Sequence, residues 1–281
     1  MMTGEASCLP EYRVRAHNTA TDSENKIHDD AVAAQYGFRG GLVPGVIVYG
    51  YMTAPLVQRY SLDWLARGSM QVRFHQPFYE GDEVIVRVEA EADSSPATIA
   101  VTASGADRTT RATALATVDD GSAWLGEPPP ALDAGPGLPP FDARPVPSLD
   151  SLKPGTRIGS FTETVDLKRC ESELLDVIEE KMEIYRGDNA VAHPAFLLGL
   201  CNQSLVLNYK LGPWIHTASE IKNWDVARDR EEITVSGGIR DAFERKGHEL
   251  VVLDLRLTAS GRLIQQVRHT AIFRPRRGRG V

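Results

Sequence analysis

The amino-acid sequence repeats itself once, and this repeat limits the folds that the chain can adopt. A constant offset of 149 positions aligns Gly45 with Pro194 and continues without a gap into the residues that follow. Further pairs at this offset are Gly50 with Gly199, Leu56 with Leu205, Val57 with Val206, Tyr60 with Tyr209, Val72 with Ile221, Arg73 with Lys222, Asp82 with Glu231 and Val84 with Ile233. Such a pattern over about forty residues indicates a duplicated structural unit and not chance agreement between buried helices.

Each unit is predicted to contain one buried helix followed by several strands. Residues 46–60 are apolar on nearly every side, as in a helix that other structure encloses, and Pro55 is expected to kink it or to remove one backbone hydrogen bond. Strands are predicted at 70–74, 84–89, 97–103 and 109–118, and the second unit is predicted to begin at 156–165 and to end with strands at 249–259 and 263–274. Because strands follow one another without intervening helices, the sequence predicts antiparallel sheets and an α+β fold.

The chain before the first buried helix is predicted to form a strand and a short helix. Residues 12–16 alternate weakly between apolar and polar, which indicates a strand. The short helix is predicted over residues 26–36, with Asn25 as its cap and Gly37 after its end. Asp29 and Asp30 would then lie in its first turn, where carboxylates suit the helix dipole.

A change in composition separates the two units. Residues 121–155 are rich in proline and glycine, which predicts an extended, semi-rigid linker. The predicted domains are therefore a first unit at 1–120, the linker at 121–155, a second unit at 156–275 and a solvated basic tail at 276–281.

Charge and residue content narrow the classes of function. The net charge of -7, from 31 basic and 38 acidic side chains, argues against nucleic acid or an anionic membrane as a partner. Cys8, Cys170 and Cys201 lie far apart, and no pair among the 7 histidines has metal-site spacing, so no disulfide framework, metal or cofactor is expected. Without a signal-like start or a membrane-length apolar run, the sequence predicts a cytoplasmic protein with no membrane partner.

Polar residues precede the first buried helix closely enough to share a cleft with its start. His28 can exchange a proton near neutral pH, and the backbone N–H at Gly45, which follows Pro44, can polarise a carbonyl at the positive end of the helix. At the offset of 149, Asn25 falls on Leu174 and His28 on Val177, so this polar cluster exists once. The sequence therefore predicts one working site and one supporting unit. The remaining histidines have no comparable group of asparagine and helix-starting glycine near them in the sequence: His17, His75, His193, His216, His248 and His269.

This layout resembles the MaoC-like dehydratases and (R)-specific enoyl-CoA hydratases, and the two units resemble double hot-dog hydratases. The family motif runs Asp, any residue, Asn, Pro, an aliphatic residue, His, five residues and a small residue; Asn25, Ile27, His28 and Ala34 agree with it. The resemblance implies two tandem hot-dog units, each a sheet wrapped around its helix. It also implies a hydro-lyase that acts on 2-enoyl or 3-hydroxyacyl thioesters of CoA or acyl carrier protein, with Pro44 and Gly45 at the substrate carbonyl.

The chain departs from the motif at two positions and places it in the first unit, where double hot-dog hydratases have it in the second. Ser23 stands where the family has its catalytic aspartate, and Lys26 stands where it has proline. A serine hydroxyl orients water but cannot act as a carboxylate base, so Glu24, ahead of Asp22, is the expected substitute beside His28 and Asn25.

Two other functions are compatible with the sequence: a non-catalytic acyl-thioester binder or partner subunit, and a hot-dog thioesterase. The two repeats could pair within one chain, and a homodimer is also possible from the resemblance.

Overall fold

The computed structural model describes residues 9–90, 98–118 and 135–276. The described helices and strands of the first unit are β1 (Tyr12–Arg15), α1 (Asp30–Ala34), α2 (Gly45–Arg67), β2 (Ser69–Phe74), β3 (Glu83–Ala90), β4 (Ile99–Ser104) and β5 (Thr110–Thr117). Those of the second unit are β6 (Phe161–Thr164), α3 (Leu167–Cys170), α4 (Pro194–Asn208), β7 (Ile215–Asn223), β8 (Glu232–Arg245), β9 (His248–Ala259) and β10 (Arg262–Arg274). Residue 97 of the third predicted strand, linker residues 121–134 and tail residues 277–281 lie outside the described part.

The strands form one antiparallel sheet that runs through both units. Among the described residues its order is β1-β3-β4-β5-β2-β7-β10-β9-β8-β6. The two units join where β2 pairs with β7, with Met70 opposite Ile221 and Val72 opposite Ser219. The predicted α+β class and the pairing of the two repeats through their sheets are therefore confirmed.

The repeat is also visible in the positions of several helices and strands. The same offset of 149 relates the first residues of α2 and α4, of β1 and β6, and of β3 and β8. The helix of each unit is buried: α2 buries Tyr49, Met52 and Leu56, and α4 buries Leu198 and Cys201. Burial of these large apolar side chains is the main contribution to the stability of each unit.

Helix α2 is longer than predicted and bends at a different place. It continues to Arg67, and the residue with non-helical angles is Ser61, at φ 52° and ψ -133°, and not Pro55. Pro55 keeps helical geometry and, lacking an N–H, gives up one backbone hydrogen bond. The break at Ser61 follows an exposed stretch and returns Trp64 and Leu65 to the core.

The predicted helix over residues 26–36 is two short pieces. A 3₁₀ turn spans Lys26–His28, and the extended residue Asp29 separates it from α1. The side chain of Asp29 accepts a hydrogen bond from Val32 N at 3.0 Å, so it caps a new helix and does not continue the old one. Asp30 accepts instead from Gly41 N at 2.6 Å, which fixes the turn before α2.

The described part of the predicted linker, residues 135–155, packs on the second unit. Ser160 N donates to Pro136 O at 3.0 Å, Lys210 N donates to Pro145 O at 2.9 Å, and Leu152 is buried. This part of the predicted linker therefore lies against the second unit, where its carbonyl groups serve as acceptors.

Candidate active site

A cavity of about 250 Å³ lies at the junction of the two units and is lined by both. Its polar lining residues are Asn25, His28, His75, Gln76, Asn202, His216, Thr217 and His248. The other lining residues are apolar or small: Ile27, Phe38, Leu42, Val43, Pro44, Gly45, Val48, Phe74, Pro77, Phe78, Trp214, Ile215 and Ile272. Within the described chain, no Asp, Glu, Lys or Arg lines this cavity. It therefore suits an uncharged, largely apolar group such as an acyl chain.

Asn25 is buried and holds the first unit against the second. Its Oδ1 accepts from Trp214 N at 3.1 Å, and its Nδ2 donates to Trp214 O at 3.0 Å. Oδ1 also accepts from Ile27 N at 3.3 Å, as predicted for a helix cap, although the helix is a single 3₁₀ turn. The amide is therefore fixed, with its NH₂ group directed at both Trp214 and His28.

The ring of His28 is oriented by a backbone carbonyl. Nδ1 lies 2.6 Å from Leu42 O, which can only accept, so the proton sits on Nδ1. Nε2 then carries a lone pair, and Asn25 Nδ2 lies 3.3 Å from it. Burial lowers the pKa of His28, against the smaller opposing effect of the Leu42 carbonyl. The histidine is thus a neutral base, and its side chain belongs to a residue that lines the cavity.

Gly45 is the first residue of α2 and has no intrahelical acceptor for its N–H. Pro44 precedes it as the cap residue and lines the same cavity. A side chain at position 45 would be crowded, because a Cβ there would lie 2.9 Å from His216 Nδ1 and 3.2 Å from Phe74. Glycine therefore leaves the helix start open to the cavity, and the structure brings His28, Asn25, Pro44 and Gly45 together.

Two residues of the predicted site lie outside this cavity: Ser23, which stands at the position of the family aspartate, and Glu24, its expected substitute. Ser23 Oγ donates to Asn25 O at 3.2 Å, and Ser23 is not a lining residue. Glu24 is exposed, lies 3.6 Å from Arg144 and lines a neighbouring depression of about 240 Å³. Asp22 is exposed as well. The one-residue shift that would turn a carboxylate toward His28 does not occur, because Asn25 is fixed by the second unit.

His216 and Asn202 line the cavity from the second unit, and sequence reasoning missed both. His216 lies on β7 and Asn202 on α4, and each has a buried side-chain atom without a hydrogen-bond partner in the described structure: His216 Nδ1 and Asn202 Oδ1. Asn202 begins a formal Asn-Gln-Ser sequence, which gives no hint of a cavity. No single-sequence signal identifies His216, because its neighbours come from distant strands.

Comparison with known proteins rests on solved structures, because no protein-family model and no curated protein matches this sequence. A MaoC domain protein dehydratase from Chloroflexus aurantiacus matches with a TM-score of 0.65 at 12% identity, over 97% of this chain and 96% of its own. A conserved hypothetical protein from Mycobacterium tuberculosis, described as a double hot-dog protein, matches with a TM-score of 0.63 at 16% identity, over 96% of each chain.

The chain has a double hot-dog fold. The predicted tandem hot-dog arrangement is therefore confirmed, and the resemblance seen in the sequence holds at the level of the fold. A double hot-dog architecture does not by itself fix the reaction, since a protein from Thermobifida fusca described as a thioesterase II also matches, with a TM-score of 0.51 at 16% identity, over 96% of this chain and 92% of its own. Function must be argued from the site.

Two further observations concern the described double hot-dog chain. No helix in residues 9–90, 98–118 and 135–276 is long and apolar enough to cross a membrane. Across the same residues, no group of three His, Cys, Asp or Glu side chains is placed to hold a metal ion. The cytoplasmic location and the homodimer stay predictions.

Proposed function

We propose that the protein is a hydro-lyase that interconverts 3-hydroxyacyl and 2-enoyl thioesters of CoA or acyl carrier protein. The observation that carries this proposal is the position of His28, which has an unprotonated Nε2 and lines the same largely apolar cavity as the start of α2. A base and a carbonyl-polarising N–H are the two groups that proton removal next to a thioester carbonyl requires.

The proposed reaction uses one base. In the dehydration direction, Nε2 of His28 takes a proton from the α carbon, and the electron pair moves into the thioester carbonyl as an enolate. The enolate then collapses, the bond between the β carbon and its hydroxyl breaks, and the imidazolium returns the proton to the departing oxygen as water. Hydration is the reverse. A lowered pKa suits this role, because it keeps His28 in the base form at neutral pH.

Other described residues supply the remaining parts of the reaction, and none of the Asp, Glu, Lys or Arg side chains among them lines the cavity. The Gly45 N–H donates to the enolate oxygen, with the positive end of α2 behind it. The two hydrogens of Asn25 Nδ2 face Trp214 O and His28 Nε2, so this amide holds the ring of the base in place. Apolar walls exclude bulk water, which strengthens these neutral hydrogen bonds.

A second candidate function is acyl-thioester binding without catalysis. It is favoured by the placement of Glu24 and Ser23, which leaves the cavity without a carboxylate from the described residues. In this case His28 and Gly45 would bind the thioester and no water would be added.

Turnover of trans-2-enoyl-CoA of several chain lengths, followed by loss of the conjugated-thioester absorbance, tests the proposal. We expect His28→Ala to lower the rate by about 10² to 10⁴, the usual contribution of a general base. His17→Ala is the matched control, because His17 does not line the cavity. Equal rates for wild type and His28→Ala would contradict the proposal. Binding without turnover would favour the second candidate, and release of free thiol would identify a thioesterase.

A further inference from the structure

Three buried polar side chains form a hydrogen-bonded chain behind the cavity, in the second unit. His216 Nε2 lies 2.8 Å from Ser219 Oγ, and Ser219 Oγ lies 3.1 Å from His269 Nδ1. Ser219 and His269 stand directly opposite each other on β7 and β10. The two imidazole rings also contact one another, with centroids 4.3 Å apart. The chain runs from the interior of the second unit to the cavity, where His216 is its last member.

The partners of His216 determine which of its nitrogens carries hydrogen. Nε2 lies 3.2 Å from Ala218 O, and a carbonyl can only accept, so Nε2 bears the N–H. Burial, followed by the nearby His269, keeps the pKa of His216 well below its ordinary value, so the ring is neutral and has a single N–H. Nδ1 is therefore a bare acceptor. It is buried and has no hydrogen-bond partner within the described residues.

A β-bulge directs this acceptor into the site. Thr270 of β10 lies opposite Ala218 of β7, whereas the next residue, Ala271, lies opposite His216. The pairing therefore skips Thr217, and the register shifts at this point. In a regular strand, residues three apart point to opposite faces. The extra residue puts His216 and Ser219 on the same, inner face, where both are buried.

The bare nitrogen of His216 lies beside the start of α2. A Cβ built on Gly45 would lie 2.9 Å from Nδ1, so the acceptor adjoins the position where the proposed reaction holds the thioester carbonyl. His28 reaches the same cavity from the first unit. A buried acceptor without a donor is unfavourable, and a ligand that brings a donor to it gains by satisfying it.

We propose that His216 determines substrate specificity, with Nδ1 accepting the hydrogen of the 3-hydroxyl group of a 3-hydroxyacyl thioester. In the hydration direction the same nitrogen accepts a hydrogen of the attacking water. This inference rests on the proposed function, and it means that both units contribute residues to the active site. The hydrogen-bonded chain through Ser219 to His269 keeps the N–H on Nε2 and the lone pair toward the substrate.

Affinities for a 3-hydroxyacyl-CoA and for the saturated acyl-CoA of equal chain length test this inference by calorimetry. We expect wild type to favour the hydroxylated ligand about 10-fold, because the saturated ligand leaves the acceptor unsatisfied. In His216→Phe, which keeps a ring but has no acceptor, the two affinities should be equal. His216→Leu repeats the test with a smaller apolar side chain, and His17→Phe, outside the cavity, should keep the wild-type ratio.

A readout on the unsubstituted protein complements these variants. In ¹⁵N spectra of histidine-labelled wild type, the Nδ1 resonance of His216 should shift on addition of the 3-hydroxyacyl-CoA and not on addition of the saturated acyl-CoA. An undiminished preference for the hydroxylated ligand in His216→Phe or His216→Leu would overturn the inference. An Nδ1 resonance that does not shift on addition of the 3-hydroxyacyl-CoA would also overturn it. Turnover lost in His28→Ala is the separate measure of the proposed reaction. Tighter binding of the 3-hydroxyacyl-CoA without any turnover would therefore contradict the proposed reaction and support the role of His216.

Discussion

The side-chain amide of Asn25 forms two hydrogen bonds with the backbone of Trp214, one to its N–H at 3.1 Å and one to its carbonyl at 3.0 Å. This pair joins the loop of the first unit that carries His28 to the segment that leads into β7 of the second unit. Asn25, a residue of the family motif, thus connects the two units. Its NH₂ group also lies 3.3 Å from the reactive nitrogen of His28.

Replacement of Asn25 by alanine is expected to destabilise the fold. The substitution leaves the buried N–H and carbonyl of Trp214 without partners, at a cost of about 1–3 kcal/mol for each group. Urea unfolding followed by tryptophan fluorescence measures the loss. Gln58→Ala removes an exposed amide from α2 and should change the free energy of unfolding by less than about 0.5 kcal/mol. Equal stability of the two variants would show that the connection contributes nothing.

Much of the fold could be predicted from the sequence because its signals are local or periodic. The offset that aligns Gly45 with Pro194 predicted the start of α4, and it also relates β1 to β6, which lies inside the segment 156–165 predicted to begin the second unit. The apolar pattern of α2 predicted a buried helix but not its bend, since the sequence offers Pro55 as the obvious candidate and the break is at Ser61. The helix predicted over residues 26–36 is two pieces because Asp29 is extended and its side chain caps α1.

The candidate site could be predicted only in part, because half of it comes from the second unit. The motif located His28 and Asn25, and the helix start located Gly45. His216 escaped detection because a bulge at Thr217 changes which face of β7 it lies on, and alternation in a single strand cannot reveal an extra residue. The neighbour of Glu24 in the loop, Asn25, is likewise held by Trp214, a residue distant in the sequence.

Glu24→Gln is expected to leave catalysis nearly unchanged. The carboxylate of Glu24 is largely exposed and lies 3.6 Å from Arg144, outside the cavity that contains His28. Its loss should remove only a surface ion pair, and such pairs contribute at most about 1 kcal/mol to stability. Rates with trans-2-enoyl-CoA within about twofold of wild type are expected, against losses of about 10² or more for a true general base. A loss of that size in Glu24→Gln would mean that the loop moves on substrate binding.

Gly45→Ala is expected to impair catalysis. The new Cβ would lie 2.9 Å from His216 Nδ1 and would occupy the approach to the helix N–H, so kcat/KM should fall by about 10² to 10³, as for the loss of one oxyanion donor. The matched control is Gly199→Ala in α4, where a Cβ would meet nothing within 4 Å. That variant should keep full activity and gain up to about 1 kcal/mol of stability. Similar kcat/KM values for the two variants would contradict the role of Gly45.

The pH profile of kcat/KM for dehydration should be flat through neutral pH and fall only on the acid side. His28 must be unprotonated to take the α proton, and burial lowers its pKa below the ordinary value of 6.5. The acid limb is therefore expected below pH 6.5, with a slope of about tenfold per pH unit. Far-UV circular dichroism at each pH separates this loss from unfolding. An acid limb that begins above pH 6.5 would contradict the buried, neutral state of the ring.

Acid should destabilise the protein through His269. Burial lowers the pKa of this fully buried side chain from 6.5 to about 3, so between these values the unfolded chain binds a proton that the native chain does not. Stability therefore rises with pH across this window, and it falls as the pH drops from 6.5 toward 3, by about 1.4 kcal/mol per pH unit for one proton.

His269→Leu removes that proton and should flatten the slope by the same amount in urea unfolding at pH 4.5, 5.5 and 6.5, values chosen inside the window set by the two pKa values. Val267→Ala, a buried apolar substitution on the same strand, is the control. It should lower stability equally at every pH, because it changes packing and no proton binding. If His269→Leu and Val267→Ala show parallel slopes, His269 does not stay neutral in the native protein.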